Sequence, residues 1–553
     1  MPTLEAVRLQ ERRWRFLLIA ILALAMLLRL WGMGFGLPQK VHPDEPLLAD
    51  RAVDALVTGN FNPAFFHWPS FMIYFLFFIY LIVYSIGHIA GIYPDTHAFF
   101  QSYYSNPTTY FWIGRMTTSL FCIAGMSWLY LIGKRIAGRA AGLAAATLMG
   151  FNALTVENSR YITPDIPAMS LMIYVWFCLL DYLDSGRLRM LYAAAFVGGV
   201  AVSTKYNAAL LLVPILITAA SRVQHWPAGE VPKLSRRAGV YLSACLLLFA
   251  LGFFLFTPYS LLDSPQFLHQ LQVQFTHQTA GHIGMEARGS SLLSILAYFY
   301  SPYGLIILIL TLAGLGALTR PLLRGMVLLS FPVLYLLSIS GWVVWAERYL
   351  LLLLPTCFLA GGISLGWIAE RVLPRKKELA ALIMALLVTL PSLYQAIRHA
   401  SDISRPHTRV VALRWIEENI APRSYLIIEK GAPEPHHVDE VEAFDLNVSP
   451  VFFFPEQELT FNPQNAGDAP LVRLRKLSPP PQYIISSAET HDRYFDPRTQ
   501  AKYPELTGPW IEYYEFIETH CVLLYEVNPD HVYWGPWIKV WRVPHGAMAA
   551  SQQ

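Results

Sequence analysis

Long apolar runs recur along the first four hundred residues, and most are separated by short basic loops; few soluble folds can accommodate that pattern. The run 14–34 is long enough to cross a hydrocarbon core of about 30 Å and follows the basic stretch Arg12, Arg13 and Arg15. Its length, the lack of a small-residue cleavage site and the many later runs favour a retained helix over a signal peptide. Further spans are expected at 108–132, 140–158, 166–183, 190–204, 207–221, 238–257, 291–318, 325–341, 349–369 and 378–397, about eleven in all. Charge supports the division: 45 of the charged residues lie in 1–400 and 34 in 401–553, so only the C-terminal part approaches the soluble norm of about 25%.

The run 68–91 decides the topology, because a full crossing there would swap the side of every later loop. If it does not cross, Lys134, Arg135, Arg139, Arg187, Arg189, Arg222, Lys233, Arg236, Arg237, Arg320, Arg324, Arg371, Arg375, Lys376 and Lys377 share the side of the basic N-terminus. The opposite loops up to residue 348 then hold Lys40, Arg51, Arg160, Lys205, Arg288 and Arg348. Excess Lys and Arg marks the cytoplasmic side, so the N-terminus is expected inside and the C-terminal domain outside the plasma (inner) membrane. The run 68–91 is then a juxtamembrane or re-entrant segment, with an ordinary span as its alternative.

The expected architecture is a polytopic α-helical membrane domain over 1–398, with a first outer loop at 35–107, followed by a small extracytoplasmic α/β domain over 399–553. In that domain, helical periodicity appears over 409–416, and strands are expected at 425–428, 482–485 and 538–543. The net charge of +3 and the absence of a basic block argue against nucleic acid as a partner. Cysteine spacing supports neither a disulfide framework nor a zinc site, and no nucleotide-binding loop, Gly-x-Ser-x-Gly or HExxH is present.

In such a chain the informative residues are ionisable ones near the bilayer, where each costs about 2.5 to 3.5 kcal/mol at a helix centre by insertion scales. The first outer loop carries Asp44 and Glu45 after His42 and Pro43. Adjacent carboxylates suit a general base with an orienting neighbour; they equally suit a capped helix start. Glu157, Arg160 and Asp165 form a second group, with Thr163 and Pro164 as a plain cap in the competing reading. Lys205 and Arg348 either snorkel to headgroups or hold a buried anion through charge-assisted bonds. His67 stands among Phe65, Phe66 and Trp68, where interfacial packing competes with a ligand role, and His277 and His282 are weak candidates for contacts to substrate or metal. Arg29 is the ionisable residue noted within a span.

Taken together, Asp44-Glu45, His67-Trp68-Pro69, Arg160 with Asp165, Thr204-Lys205 and Glu347-Arg348-Tyr349 ahead of Pro355 resemble the C-superfold glycosyltransferases. The pattern is similar to the protein O-mannosyltransferases and the lipid A aminoarabinose transferases. Thr408, Arg409 and the stretch Trp415 to Asn419 are similar to the outer domain of many bacterial members.

This resemblance implies an inverting transfer from a polyprenyl-phosphate-linked sugar to a hydroxyl on a lipid, glycan or protein acceptor at the outer face. It implies Asp44 as the general base, with Glu45 and Asp165 orienting the acceptor or a divalent cation. Lys205 and Arg348, with Arg160, would contact the donor phosphate, and His67 and Glu157 the acceptor. Trp68 departs from relatives that carry a basic residue there, so phosphate contact from that position is not expected. A transporter or flippase of lipid-linked sugars is the rival reading; it would place ionisable groups at midplane in broken helices.

Overall fold

The computed structural model describes residues 4–221, 236–280, 291–421, 424–429, 431–433, 447–449, 469–475, 477 and 480–545. Arg222, Lys233, His282 and Arg288 lie outside them.

The chain forms a helical bundle with a small α/β domain seated on one end. The first helix, Leu4–Leu30, packs on Thr108–Gly150, which breaks at Ala137 and Gly138, the latter at φ +85°. Its two arms fold back on one another: a Cβ on Gly133 would stand 2.9 Å from the Gly142 Cα, and one on Gly150 would meet Met126. The two expected runs 108–132 and 140–158 thus fall on two arms of one broken helix, with Lys134, Arg135 and Arg139 at the turn between them. The second arm packs against Leu354–Val372, where a Cβ on Gly362 would come within 2.6 Å of the Ala145 nitrogen. Small residues let helix backbones approach where apolar lipid supplies no drive for side chains to associate. Asp165–Ser185, Leu188–Val202 and Arg236–Phe256 continue the bundle, and Leu322–Ser340 and Lys377–Ile403 complete it.

The expectation of eleven spans is not reproduced as eleven unbroken helices. Among the described residues six helices are long and apolar enough to cross a membrane, and Ser291–Tyr300 with Tyr303–Leu318 makes a pair bent by 96°. Leu188–Val202 and Tyr206–Ser221 are shorter, because a polar turn at Lys205 interrupts them. Phe71–Ile89 is one of the six, so length and composition do not exclude it as a span. Its buried face packs on Glu45–Thr58 and, through Tyr80 and Tyr84, on Thr96–Ser105.

The C-terminal domain contains β1 (Tyr425–Ile428), β2 (Asn447–Ser449), β3 (Tyr483–Ser487), β4 (Val522–Val527) and β5 (Ile538–Arg542), in spatial order β2-β1-β3-β5-β4. β1 runs parallel to β2 and β3, and β5 is antiparallel to β3 and β4. Thr408–Asn419 covers one face of the sheet through Ala412 and Ile416; Pro504–His520 covers the other through Tyr513 and Ile517. Three strands and the first helix lie where the sequence placed them. β4 was not anticipated: it is an edge strand with Val522, Leu523 and Leu524 exposed, so it lacks the buried alternation by which strands are read.

The domain is seated on the loop that follows the first helix. Trp534 packs edge-on against Phe35 at 6.0 Å, and a Cβ on Gly32 would touch Ile403. Gly36 stands at φ +71°, and a Cβ there would lie 2.2 Å from Val41 Cγ2. The loop can turn this tightly only with glycine at that point.

Candidate active site

Asp44 occupies the N-cap position of Glu45–Thr58 but makes no side-chain cap bond, so the capping explanation of this residue does not hold. Its carboxylate is ion-paired with Arg348 instead, from the opening turn of Glu347–Leu352. The Asp44 backbone N–H donates to His42 Nδ1 at 3.2 Å, and the His42 ring lies 4.3 Å from that of Tyr161. Burial lowers the His42 pKa, against the pull of Glu45 and Asp44, and so favours the neutral ring that can accept this bond.

A second ion pair joins Lys205 to Asp165, the first residue of Asp165–Ser185. The preceding Thr163 makes no cap bond, and its hydroxyl has no partner among the described residues. Tyr349 links the two pairs: the Lys205 ammonium lies 5.6 Å from its ring centroid, and its carbonyl accepts the Tyr335 hydroxyl at 3.0 Å. Burial works against the Arg348 charge, but Asp44, Asp165 and the Tyr349 oxygen outweigh it and hold its pKa above the ordinary arginine value. Arg348 thus feels both acids. Two carboxylates and two cations, drawn from four separate chain segments, form one partly exposed cluster at the end of the bundle that carries the C-terminal domain.

Glu45 faces the opposite way. Both its oxygens accept from Arg115, at 2.8 and 2.6 Å, and Oε1 also accepts the Ile162 amide at 3.1 Å. Arg115 further donates to the Met33 and Phe35 carbonyls and lies 3.6 Å from the Phe35 ring centroid. Both side chains are fully buried. Glu45 thereby ties the first loop to the bundle, and its full burial against Arg115 keeps it from an acceptor or a cation. Arg115 lies inside the expected span 108–132 and was not singled out. A charge that deep in an apolar run was the available signal.

Arg160 is also turned away from the cluster. Its guanidinium donates to the Leu28 and Arg29 carbonyls at 2.7 and 3.3 Å, at the end of the first helix, and contacts His399. Burial, reinforced by the neighbouring Arg29 charge, pushes its pKa down to about 10. Arg29 is itself satisfied by the Ala25 and Gly150 carbonyls, the Ser159 hydroxyl and the Cys122 sulfur. Glu157 lies beside His399 and Tyr161, and near enough to Glu347 to raise that residue's pKa in addition to the effect of burial. His67 belongs to a loop whose Phe66 carbonyl accepts the Tyr206 hydroxyl at 2.8 Å, next to Lys205. Among the described residues no group of three or more His, Cys, Asp or Glu side chains is arranged to hold a metal ion. Asp44 and Asp165 are each occupied by a cationic side chain, so these residues do not fit a divalent cation.

Residues 109–251 match the model of a family described as dolichyl-phosphate-mannose-protein mannosyltransferase. Among solved structures, ArnT from Cupriavidus metallidurans bound to undecaprenyl phosphate is 15% identical with a TM-score of 0.56, over 95% of this chain and 98% of that one. The oligosaccharyltransferase of Archaeoglobus fulgidus in its apo form is 13% identical with a TM-score of 0.52, over 86% and 70%. At these identities the likeness is one of fold. No curated protein matches the sequence.

Proposed function

We propose that this chain, which has the fold of the C-superfold membrane glycosyltransferases, is an inverting glycosyltransferase that moves a sugar from a polyprenyl phosphate to an acceptor hydroxyl at the outer face of the membrane. The observation that carries this reading is the convergence of Asp44, Arg348, Asp165 and Lys205 around Tyr349. The undecaprenyl phosphate bound to the ArnT structure of the same fold supplies the ligand class.

The donor phosphate enters between Arg348 and Lys205. Arg348 then divides its donors between the phosphate and Asp44. The acceptor oxygen attacks the anomeric carbon, the bond from that carbon to the phosphate oxygen breaks, and its electron pair leaves with the lipid phosphate. The acceptor proton passes to Asp44. A carboxylate is too weak to ionise an alcohol beforehand, so the proton transfers as attack proceeds, which contributes about 10²- to 10⁴-fold. Lys205 and Arg348 stabilise the charge that grows on the departing phosphate, and Asp165 holds Lys205 in place. Glu45 is a positioning residue that acts through Arg115. Arg160 fixes the end of the first helix rather than the phosphate, and Glu157 and His67 flank the acceptor side.

The transporter reading calls for uncommitted charge at midplane, whereas the buried Arg29 and Arg115 are fully engaged by carbonyls, Ser159, Cys122 and Glu45. The test is a membrane assay with a radiolabelled polyprenyl-linked sugar. Asp44→Asn is expected to abolish transfer at unchanged expression; undiminished transfer removes Asp44 as the base.

A further inference from the structure

The helix Ser264–Ala280 turns Phe267, Leu271 and Val273 to its partly buried side, Phe267 packing on Phe66 and Tyr206, and a row of glutamines shares that side. Its outer face exposes Leu268 and Phe275, at 61% and 71%, while glutamines at four-residue intervals, Gln266, Gln270, Gln274 and Gln278, lie on the partly buried face. Successive glutamines at this spacing are offset by only about 40° around the axis and about 6 Å along it, so they form one inward stripe.

The two ends of the stripe are anchored. Gln266 and Gln270 donate to the Ala64 carbonyl at 3.3 and 3.2 Å, and Gln270 also accepts the Phe66 N–H, next to His67. At the other end Gln278 donates to the Tyr349 hydroxyl at 3.4 Å, beside Lys205 and Arg348, and its side-chain oxygen is enclosed with no partner among the described residues. Gln274 lies one turn from each anchor on the same partly buried side. The enclosed, unpaired side-chain oxygen of Gln278 costs free energy until something pairs with it. The charged groups of the cluster are already committed to one another. What the wall offers is neutral amide oxygen and nitrogen, one accepting and one donating, which matches the hydroxyls of a saccharide.

We infer that Gln278, with Gln274 one turn before it, forms a saccharide-recognition wall beside the ion-pair cluster, reading the hydroxyls of the donor sugar or of a glycan acceptor. The inference rests on the transferase reading above, and its test separates the two. In the full-length protein in detergent, binding of bare undecaprenyl phosphate is compared with binding of undecaprenyl phosphate carrying mannose, glucose, galactose or arabinose. Transfer kinetics are then measured for donor and acceptor separately. Gln274→Leu and Gln278→Leu are expected to raise one KM at least fivefold and to leave affinity for the bare lipid phosphate within twofold. A donor KM effect with weakened sugar-lipid binding assigns the wall to the donor; an acceptor KM effect alone assigns it to the acceptor. Gln274→Asn, which keeps the amide on a shorter stem, gives an intermediate effect and guards against a simple folding defect. The inference is overturned if both KM values and sugar-lipid binding stay within twofold of the parent, or if affinity for bare lipid phosphate falls equally. Retained transfer in Asp44→Asn would instead overturn the proposed catalytic base and leave the binding comparison standing.

Discussion

Arg409, in the first helix of the C-terminal domain, donates to the carbonyl of Val41 at 3.2 Å, three residues before the proposed catalytic base. The same guanidinium is ion-paired with Glu489, and a Cβ on Gly431 would collide with that carboxylate. The contact thus ties the C-terminal domain to the loop that carries Asp44. Hydrogen bonds from charged groups are worth about 1.5 to 3 kcal/mol. Arg409→Ala is expected to lower kcat about tenfold or more while donor KM changes little, because the proposed phosphate contacts, Lys205 and Arg348, are made by other segments. Arg409→Lys should recover part of the loss. Steady-state kinetics in detergent check this, and an unchanged kcat removes Arg409 as a positioning residue.

Glu45 and Asp44 are neighbours in sequence with opposite expected phenotypes. Removing one member of a fully buried pair leaves the other charge uncompensated, at a cost of about 3 to 5 kcal/mol. Glu45→Gln and Arg115→Ala are therefore expected to reduce the yield of folded protein and lower its melting temperature in detergent. Asp44→Asn disturbs only a partly exposed pair and should melt near the parent. Equal melting temperatures for all three variants would refute the structural assignment of Glu45.

This contrast shows what the sequence could convey. That Asp44, Asp165, Lys205 and Arg348 belong to one cluster is legible because charges are scarce in an apolar chain, and those that persist near a bilayer need a reason. Where each side chain points was not legible. Glu45 follows Asp44 directly, yet the helix that begins there turns one residue toward Arg348 and the next toward Arg115. The resemblance places Arg160 with the phosphate contacts, but the end of the first helix presents the carbonyls that claim it. The glutamine stripe is not legible because glutamine carries no charge, and Phe267, Leu271 and Val273 beside it read as an ordinary buried face.

Lys205 and Arg348 should differ in kinetics, although both face the donor phosphate in the proposed mechanism. Lys205 pairs with Asp165, whereas Arg348 also holds the proposed base. Lys205→Ala is expected to raise donor KM and the inhibition constant of bare undecaprenyl phosphate by about tenfold, consistent with one charge-assisted contact of about 1.5 kcal/mol or more. Arg348→Ala should do the same and lower kcat as well. Inhibition by the bare lipid phosphate that is unaffected in both variants would place the phosphate elsewhere.

The pH dependence of the C-terminal domain follows from two buried groups with opposite signs. Glu429 accepts from Tyr513, Tyr514 and the Ser487 amide, yet full burial outweighs those bonds and pushes its pKa from 4.5 up to about 8. The folded domain keeps this proton while the unfolded chain releases it, so the contribution is complete below pH 4.5 and is lost as pH rises through about 8. His407 accepts the Arg409 N–H at its Nδ1, and burial, aided by the Arg409 charge, lowers its pKa from 6.5 to about 3. Its contribution is complete above pH 6.5 and is lost as pH falls toward 3. From pH 4.5 to 6.5 the two trends oppose one another. Above 6.5 only Glu429 still changes and stability should fall; below 4.5 only His407 changes and stability should fall again. Amide exchange across Pro504–His520 in the full-length protein reads both limbs. Glu429→Gln should flatten the alkaline limb and leave the acid one in place, and an alkaline limb that persists in this variant would refute the assignment to Glu429.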